Sequence, residues 1–184
     1  ELVFSGSPAT LEHGREIYRE LREGAAAFGR DPDHMKIAPS AYIITAGSKM
    51  EAEDKMALVD TLATDEDALS LLSEAMNFDF GSKGIDEPFT DQELDSISGT
   101  QSMRDRVLRA SGLRNPTPRD FIKFSHRARP NKPFVGGPKE VADGLEEWFT
   151  TGVCDGFVIA ATHVPGAYMD VVQHVIPELQ KRGL

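Results

Sequence analysis

The chain has 184 residues, with 30 acidic against 20 basic side chains and a formal charge of −10. That length can bury one sizeable core, while the charge argues against a nucleic acid or an anionic membrane surface as the main partner. A single cysteine rules out an internal disulfide framework, and no apolar run reaches the roughly 18 residues of a membrane span, so a cytoplasmic protein is expected.

Leu2, Val3 and Phe4 read as a short strand, and Ser5, Gly6, Ser7 and Pro8 as the loop that leaves it. Thr10 is placed to cap a helix whose inner face is Leu11, Ile17, Tyr18, Leu21, Ala25 and Phe28, with Gly29 past its end. After a turn over 30–33 comes a second strand over 37–46, with Pro39 better suited to its beginning than its middle. Ser48 and Glu51 form a capping box, and the helix that follows turns Ala52, Met56, Val59 and Ala63 inward. This βαβα order, at these lengths, suits a parallel sheet.

Residues 64–133 break the rhythm. Their first half is acidic with scattered aromatics, and the half from Met103 is basic, so the two halves can pair with each other. A structureless loop that long is improbable in a compact domain, and short helices are predicted over 66–76, 101–111 and 117–126. The domain reading is therefore 1–63, a mostly helical insertion over 64–133, and 134–184.

The last segment is the most legible. Phe134 and Val135 make a strand; Gly137 caps a helix with Pro138 at its first position, and Val141, Leu145, Trp148 and Phe149 share one face. Gly152 ends that helix, and 157–161 is an apolar run expected to be a strand covered on both faces. A final helix from about Ala167 carries Tyr168, Val171, Val172, Val175 and Leu179 on its apolar side, and Pro177 should kink or restart it.

The runs Gly136-Gly-Pro-Lys-Glu-Val-Ala-Asp-Gly-Leu145, Gly152-Val-Cys-Asp-Gly-Phe-Val-Ile159, Val164-Pro-Gly-Ala-Tyr-Met-Asp170 and Val175-Ile-Pro-Glu-Leu-Gln-Lys-Arg-Gly183 resemble the end of the luciferase-like flavin-dependent monooxygenases. Glu1-Leu-Val-Phe-Ser5 and Ala27-Phe-Gly-Arg-Asp-Pro-Asp33 are similar to later barrel units of the same family. The resemblance implies the C-terminal portion of a (β/α)8 TIM barrel, with three to four parallel strands here, since a whole barrel takes roughly 250 residues. It further implies a two-component enzyme that takes reduced FMN from a separate NAD(P)H-dependent flavin reductase and oxygenates a small organic substrate with O2. Such an enzyme would be a homo-oligomer at full length, and the isolated 184-residue chain would be inactive. The alternative is a truncated, non-catalytic domain serving as a binding or assembly module.

In a barrel of this kind, chemistry belongs to the loops after the strands. Ser5, Gly6 and Ser7 offer backbone N–H groups and hydroxyls that either contact flavin or merely make the turn. His163, just beyond the last strand, is either a hydrogen-bond donor to flavin or substrate, and so the catalytic candidate, or an ordinary loop histidine. His126 in the basic half is either a substrate contact or solvated surface. Histidine spacing and the lone cysteine offer no ligand set, so no metal is expected.

Overall fold

The computed structural model describes residues 1–8, 10–129, 131–132 and 134–184; Pro133, where the expected insertion ends, lies outside them. In chain order the elements are β1 (Leu2–Ser5), α1 (Leu11–Ala27), β2 (Lys36–Thr45), α2 (Lys49–Leu62), α3 (Asp65–Met76) and α4 (Asp91–Ser96). There follow α5 (Gln101–Ser111), α6 (Pro118–Phe124), β3 (Phe134–Gly136), α7 (Pro138–Thr150), β4 (Val158–Ala160), α8 (Gly166–Asp170) and α9 (Ile176–Lys181). The chain divides into two compact units, one of Glu1–Asp60 with Asn131–Leu184 and the other of Thr61–Pro130.

In the first unit β2 is the hub, and every described pairing is parallel, as expected: β1 along its start, β4 along its middle and β3 along its end. The Lys36 N–H donates to the Glu1 carbonyl, whereas the Asp155 N–H donates to the carbonyl of the next residue, Ile37. Neighbours along a strand present their backbone groups to opposite edges, so β1 and β4 flank β2 on opposite sides.

The register also separates the two faces of the sheet. Val3, Ile37, Ala41, Ile43, Phe134 and Ile159 share one face and pack with Tyr18, Leu21 and Ala25 of α1 or with Val141, Leu145 and Trp148 of α7. Burying each of these larger apolar side chains contributes about 1.5–3 kcal/mol. On the other face, Leu2 and Phe4 are 69% and 62% exposed, and Val158 of β4 is exposed as well. The strand read as covered on both faces is thus covered on the helix side only. An apolar run reports hydrophobicity, but not whether a second layer is present to meet it.

Caps explain where the helices begin. Thr10 accepts from the His13 N–H, and Pro138 opens α7 behind Gly137. Gly29 and Gly152 adopt the left-handed conformation expected past their helices. Two apolar positions fall on the wrong side: Phe28, at the very end of α1, is 89% exposed, and Phe149 is exposed beside the buried Trp148. Of the inward set on α2 only Ala52 is fully buried. The last helix is interrupted as Pro177 required: a π turn over Val171–Val175 separates α8 from α9.

The second unit is built around aromatic rings. Phe80, Phe89 and Phe121 are fully buried, with centroids 5.1–5.5 Å apart in edge or tilted contact. Leu72, Met76, Ile97 and Val107 close the core around them. Capping boxes at Thr64 with Asp67, Thr90 with Glu93 and Thr117 with Asp120 start α3, α4 and α6. The charges of the two halves do pair: Arg119 with Asp86, Arg114 with Asp91, Arg127 with Glu74 and Arg129 with Asp65. The helix predicted to reach 126 stops at Phe124, because His126 takes a positive φ of 57°.

Candidate functional site

Because β1 to β4 run parallel, their C-terminal ends and the loops that leave them lie at one end of the sheet. Ser5 stands opposite Pro39, Ala160 opposite Tyr42 and Gly136 opposite Thr45. The ends therefore climb along β2 in steps of three residues, about 10 Å each, a stagger of the kind barrel strands show.

Ser5 is half-buried, Gly6 is exposed, and a Cβ built on Gly6 would meet nothing within 4 Å, so the backbone there is open to a ligand. The Ser7 hydroxyl is buried and has no hydrogen-bond partner among the described residues. The loop is held by its neighbours, since Asn131 Nδ2 donates to the Pro8 carbonyl at 3.0 Å. At the β4 end, His163 is exposed and its Nδ1 lies 3.2 Å from Thr162 Oγ1. Its ring rests on the start of α8, where a Cβ on Gly166 would come within 2.6 Å of Nε2, so only glycine allows this arrangement. His126 is half-buried and belongs to the second unit, apart from the unit that holds residues 5–7 and 163.

Sequence reasoning missed the groups that brace this end. Lys55 Nζ on α2 donates to the Thr45 carbonyl (2.9 Å) and to Asp170 Oδ2 on α8 (2.6 Å), tying the end of β2 to the helix that follows the His163 loop. Asp170 lies 115 residues away, and no local pattern announces it. The Thr45 hydroxyl itself is buried and has no partner among the described residues. At the opposite end of the sheet Asp155 substitutes for a strand partner: Oδ2 accepts from the Ile37 N–H at 2.9 Å and Oδ1 from the Tyr18 hydroxyl at 3.3 Å. Lying before β4, it reads as a stability group. Cys154 is buried, and that burial pushes its thiol up to about 11, which leaves it inert as a nucleophile.

No family model matches the chain. Along its whole length it is 30% identical to nitrilotriacetate monooxygenase component A of Aminobacter aminovorans, of which it covers 40%. Over 95% of its length it is 33% identical to dimethyl-sulfide monooxygenase of Hyphomicrobium sulfonivorans, covering 36% of that protein. The crystal structure of DmoA from Hyphomicrobium sulfonivorans superposes on all of it with a TM-score of 0.75 at 33% identity, over 38% of that chain.

The chain's homologues are monooxygenases of the luciferase-like family. It spans about 40% of the length of the curated relatives it matches, and its fold is a C-terminal portion of the luciferase-like TIM barrel. Flavin is the cofactor of this family, and the residues at the β1 end fit such a group: two serine hydroxyls, one buried without a partner, on either side of an open glycine. Among the described residues no cluster of metal-ligating side chains occurs, and no helix is long and apolar enough to cross a membrane.

Proposed function

We propose that this luciferase-like chain supplies the later units of a two-component monooxygenase that uses reduced FMN, delivered by a separate NAD(P)H-dependent flavin reductase, and O2 to oxygenate a small organic substrate. The observation that carries this reading is similarity along the entire chain to relatives named as monooxygenases of nitrilotriacetate, dimethyl sulfide and dibenzothiophene sulfone. Flavin, when bound, supplies the oxygen activation; this chain binds and orients it. In this reading Ser5, the Gly6 backbone and the Ser7 hydroxyl hold the flavin, and His163 donates a hydrogen bond to flavin or substrate as the catalytic candidate. His126 and the helical unit around it contribute to substrate choice. Arg114, Arg119 and Arg127 of that unit are paired internally with carboxylates.

The isolated chain, in which β1 and β4 each pair only with β2 among the described residues, is expected neither to bind FMN tightly nor to turn over substrate. Fluorescence-quenching titration of FMN checks this, and stoichiometric binding would refute it. The positive test replaces the matched portion of the Hyphomicrobium dimethyl-sulfide monooxygenase with this chain. The chimera should bind FMN, Ser7→Ala should weaken binding about tenfold (about 1.4 kcal/mol), and reduced FMN should drive substrate-dependent O2 uptake. A folded chimera indifferent to Ser7→Ala would remove the assignment of that hydroxyl.

The exposure of Leu2 and Phe4 on β1 favours a second reading, a non-catalytic module that docks through that strand. It predicts stable association with another chain and no flavin binding in any assembly.

A further inference from the structure

The helix behind the His163 loop has little of its own to hold it in place. α8 is five residues long, has no side-chain cap at its start, and fully buries only Ala167. So short a helix is unstable by itself, because nucleation fixes several residues for each hydrogen bond gained. His163 is nonetheless tied to it twice. The His163 carbonyl accepts from the Ala167 N–H at 3.2 Å, and the imidazole lies against Gly166, where a Cβ would come within 2.6 Å of Nε2. The ring therefore stands wherever α8 stands.

The far end of α8 carries the anchor. Asp170, its last residue, accepts from Lys55 Nζ at 2.6 Å, and the same ammonium donates to the Thr45 carbonyl at 2.9 Å, at the last residue of β2. An ammonium has three donors on one compact point, which lets a single group span a carboxylate and a backbone carbonyl. The two side chains are 28% and 21% exposed, so salt screens this pair less than a pair held in open solvent. β2 pairs with β1, β3 and β4 and is the most tightly framed element of the unit; Lys55 refers α8 to that frame. The helix passes into its π turn at the next residue, Val171, so a tie at Asp170 holds the point where the winding changes.

We infer that Lys55 and Asp170 are a positioning pair: together they fix α8 against the end of β2 and so set where the His163 imidazole stands. What this means for catalysis rests on the reading of His163 proposed above, whereas the geometry does not need flavin. The test is nuclear magnetic resonance of this chain with labelled histidine, following the cross-peak between the His163 ring protons and the Gly166 α-protons. His163→Gln identifies the signal among the five histidines. Lys55→Met, Lys55→Gln and Asp170→Asn should each reduce the cross-peak by roughly half or more, and Lys55→Arg, which keeps the charge and the donors, should retain it. Gly99→Ala, a strained substitution in the 61–130 unit, should leave it unchanged. A full cross-peak in folded Lys55→Gln or Asp170→Asn would overturn the inference. So would its loss in Gly99→Ala, which would make it a gauge of stability alone. Unfolding of all three loss variants would overturn it as well, since the pair would then support the whole unit rather than one loop. Failure of the chimera to bind FMN sinks the flavin reading and leaves this pair standing.

Discussion

Thr45→Val isolates one physical quantity. Thr45 ends β2, is 1% exposed, and its hydroxyl has no hydrogen-bond partner among the described residues, while its carbonyl is already used by Lys55. A buried hydroxyl without a partner costs about 1–3 kcal/mol of desolvation, and replacing it with a methyl group removes that cost while keeping the β-branched shape the strand favours. The substitution should therefore stabilise the chain by about 1–3 kcal/mol, seen in urea as a higher midpoint at unchanged slope. At about 2–4 °C per kcal/mol for a chain of this size, the melting temperature should rise by roughly 2–12 °C. Thr45→Ser, which keeps the hydroxyl and loses the methyl, should instead cost about 1 kcal/mol. A loss of 1 kcal/mol or more in the valine variant would refute the reasoning, because it would mean that the hydroxyl is satisfied, for example by a buried water.

Lys55→Met removes the cation shared by Asp170 and the Thr45 carbonyl; with both side chains partly exposed, a loss of about 1–2 kcal/mol is expected in the same urea assay. Gly99→Ala should destabilise the 61–130 unit by about 1–3 kcal/mol, since the new Cβ would lie 2.4 Å from the backbone carbon of Met76, where no side chain can swing aside. In the same unit, Glu93 is held down to about 2 from 4.5 by the Thr90 N–H and then by Lys83, and Asp86, Glu87 and Asp91 are lowered as well, each chiefly by a hydrogen bond to a cationic side chain. Depressed carboxylates contribute stability that is present above their unfolded values and lost as pH falls through the folded ones. Urea midpoints should thus drop between about pH 4.5 and 2, and Glu93→Gln should flatten that slope. Cys154 should react with a thiol reagent at neutral pH only on unfolding, and reaction at native rates would contradict its burial.

Much of the fold was legible because local rules and global packing agree. Thr10, Gly137 with Pro138, Gly152 and Pro177 each mark a boundary that the structure realises, and Ile37, Val141, Leu145 and Trp148 are buried as their spacing demands. α4 escaped notice although Thr90 and Glu93 spell its capping box, because in six residues a single buried leucine, Leu94, leaves no periodicity to read. Phe28 and Phe149 show the converse: each sits on an apolar helical face by spacing, yet the layer it would meet does not reach that far. At the candidate site, Ser5, Gly6, Ser7 and His163 could be picked out as residues that follow strands. The Lys55 brace could not, since it joins groups on α2 and α8 that meet only after the sheet has formed.

By itself the amino-acid order determined the alternation of strand and helix, the parallel pairing that this alternation requires, and the family resemblance, because these depend on periods of a few residues and on short runs of glycine, proline and apolar side chains. Tertiary structure alone decided which face of each strand is covered, which hydroxyls are left without partners, and where apolar surface stays open. Those depend on what lies across the sheet, and a side chain carries no record of the neighbour it will meet.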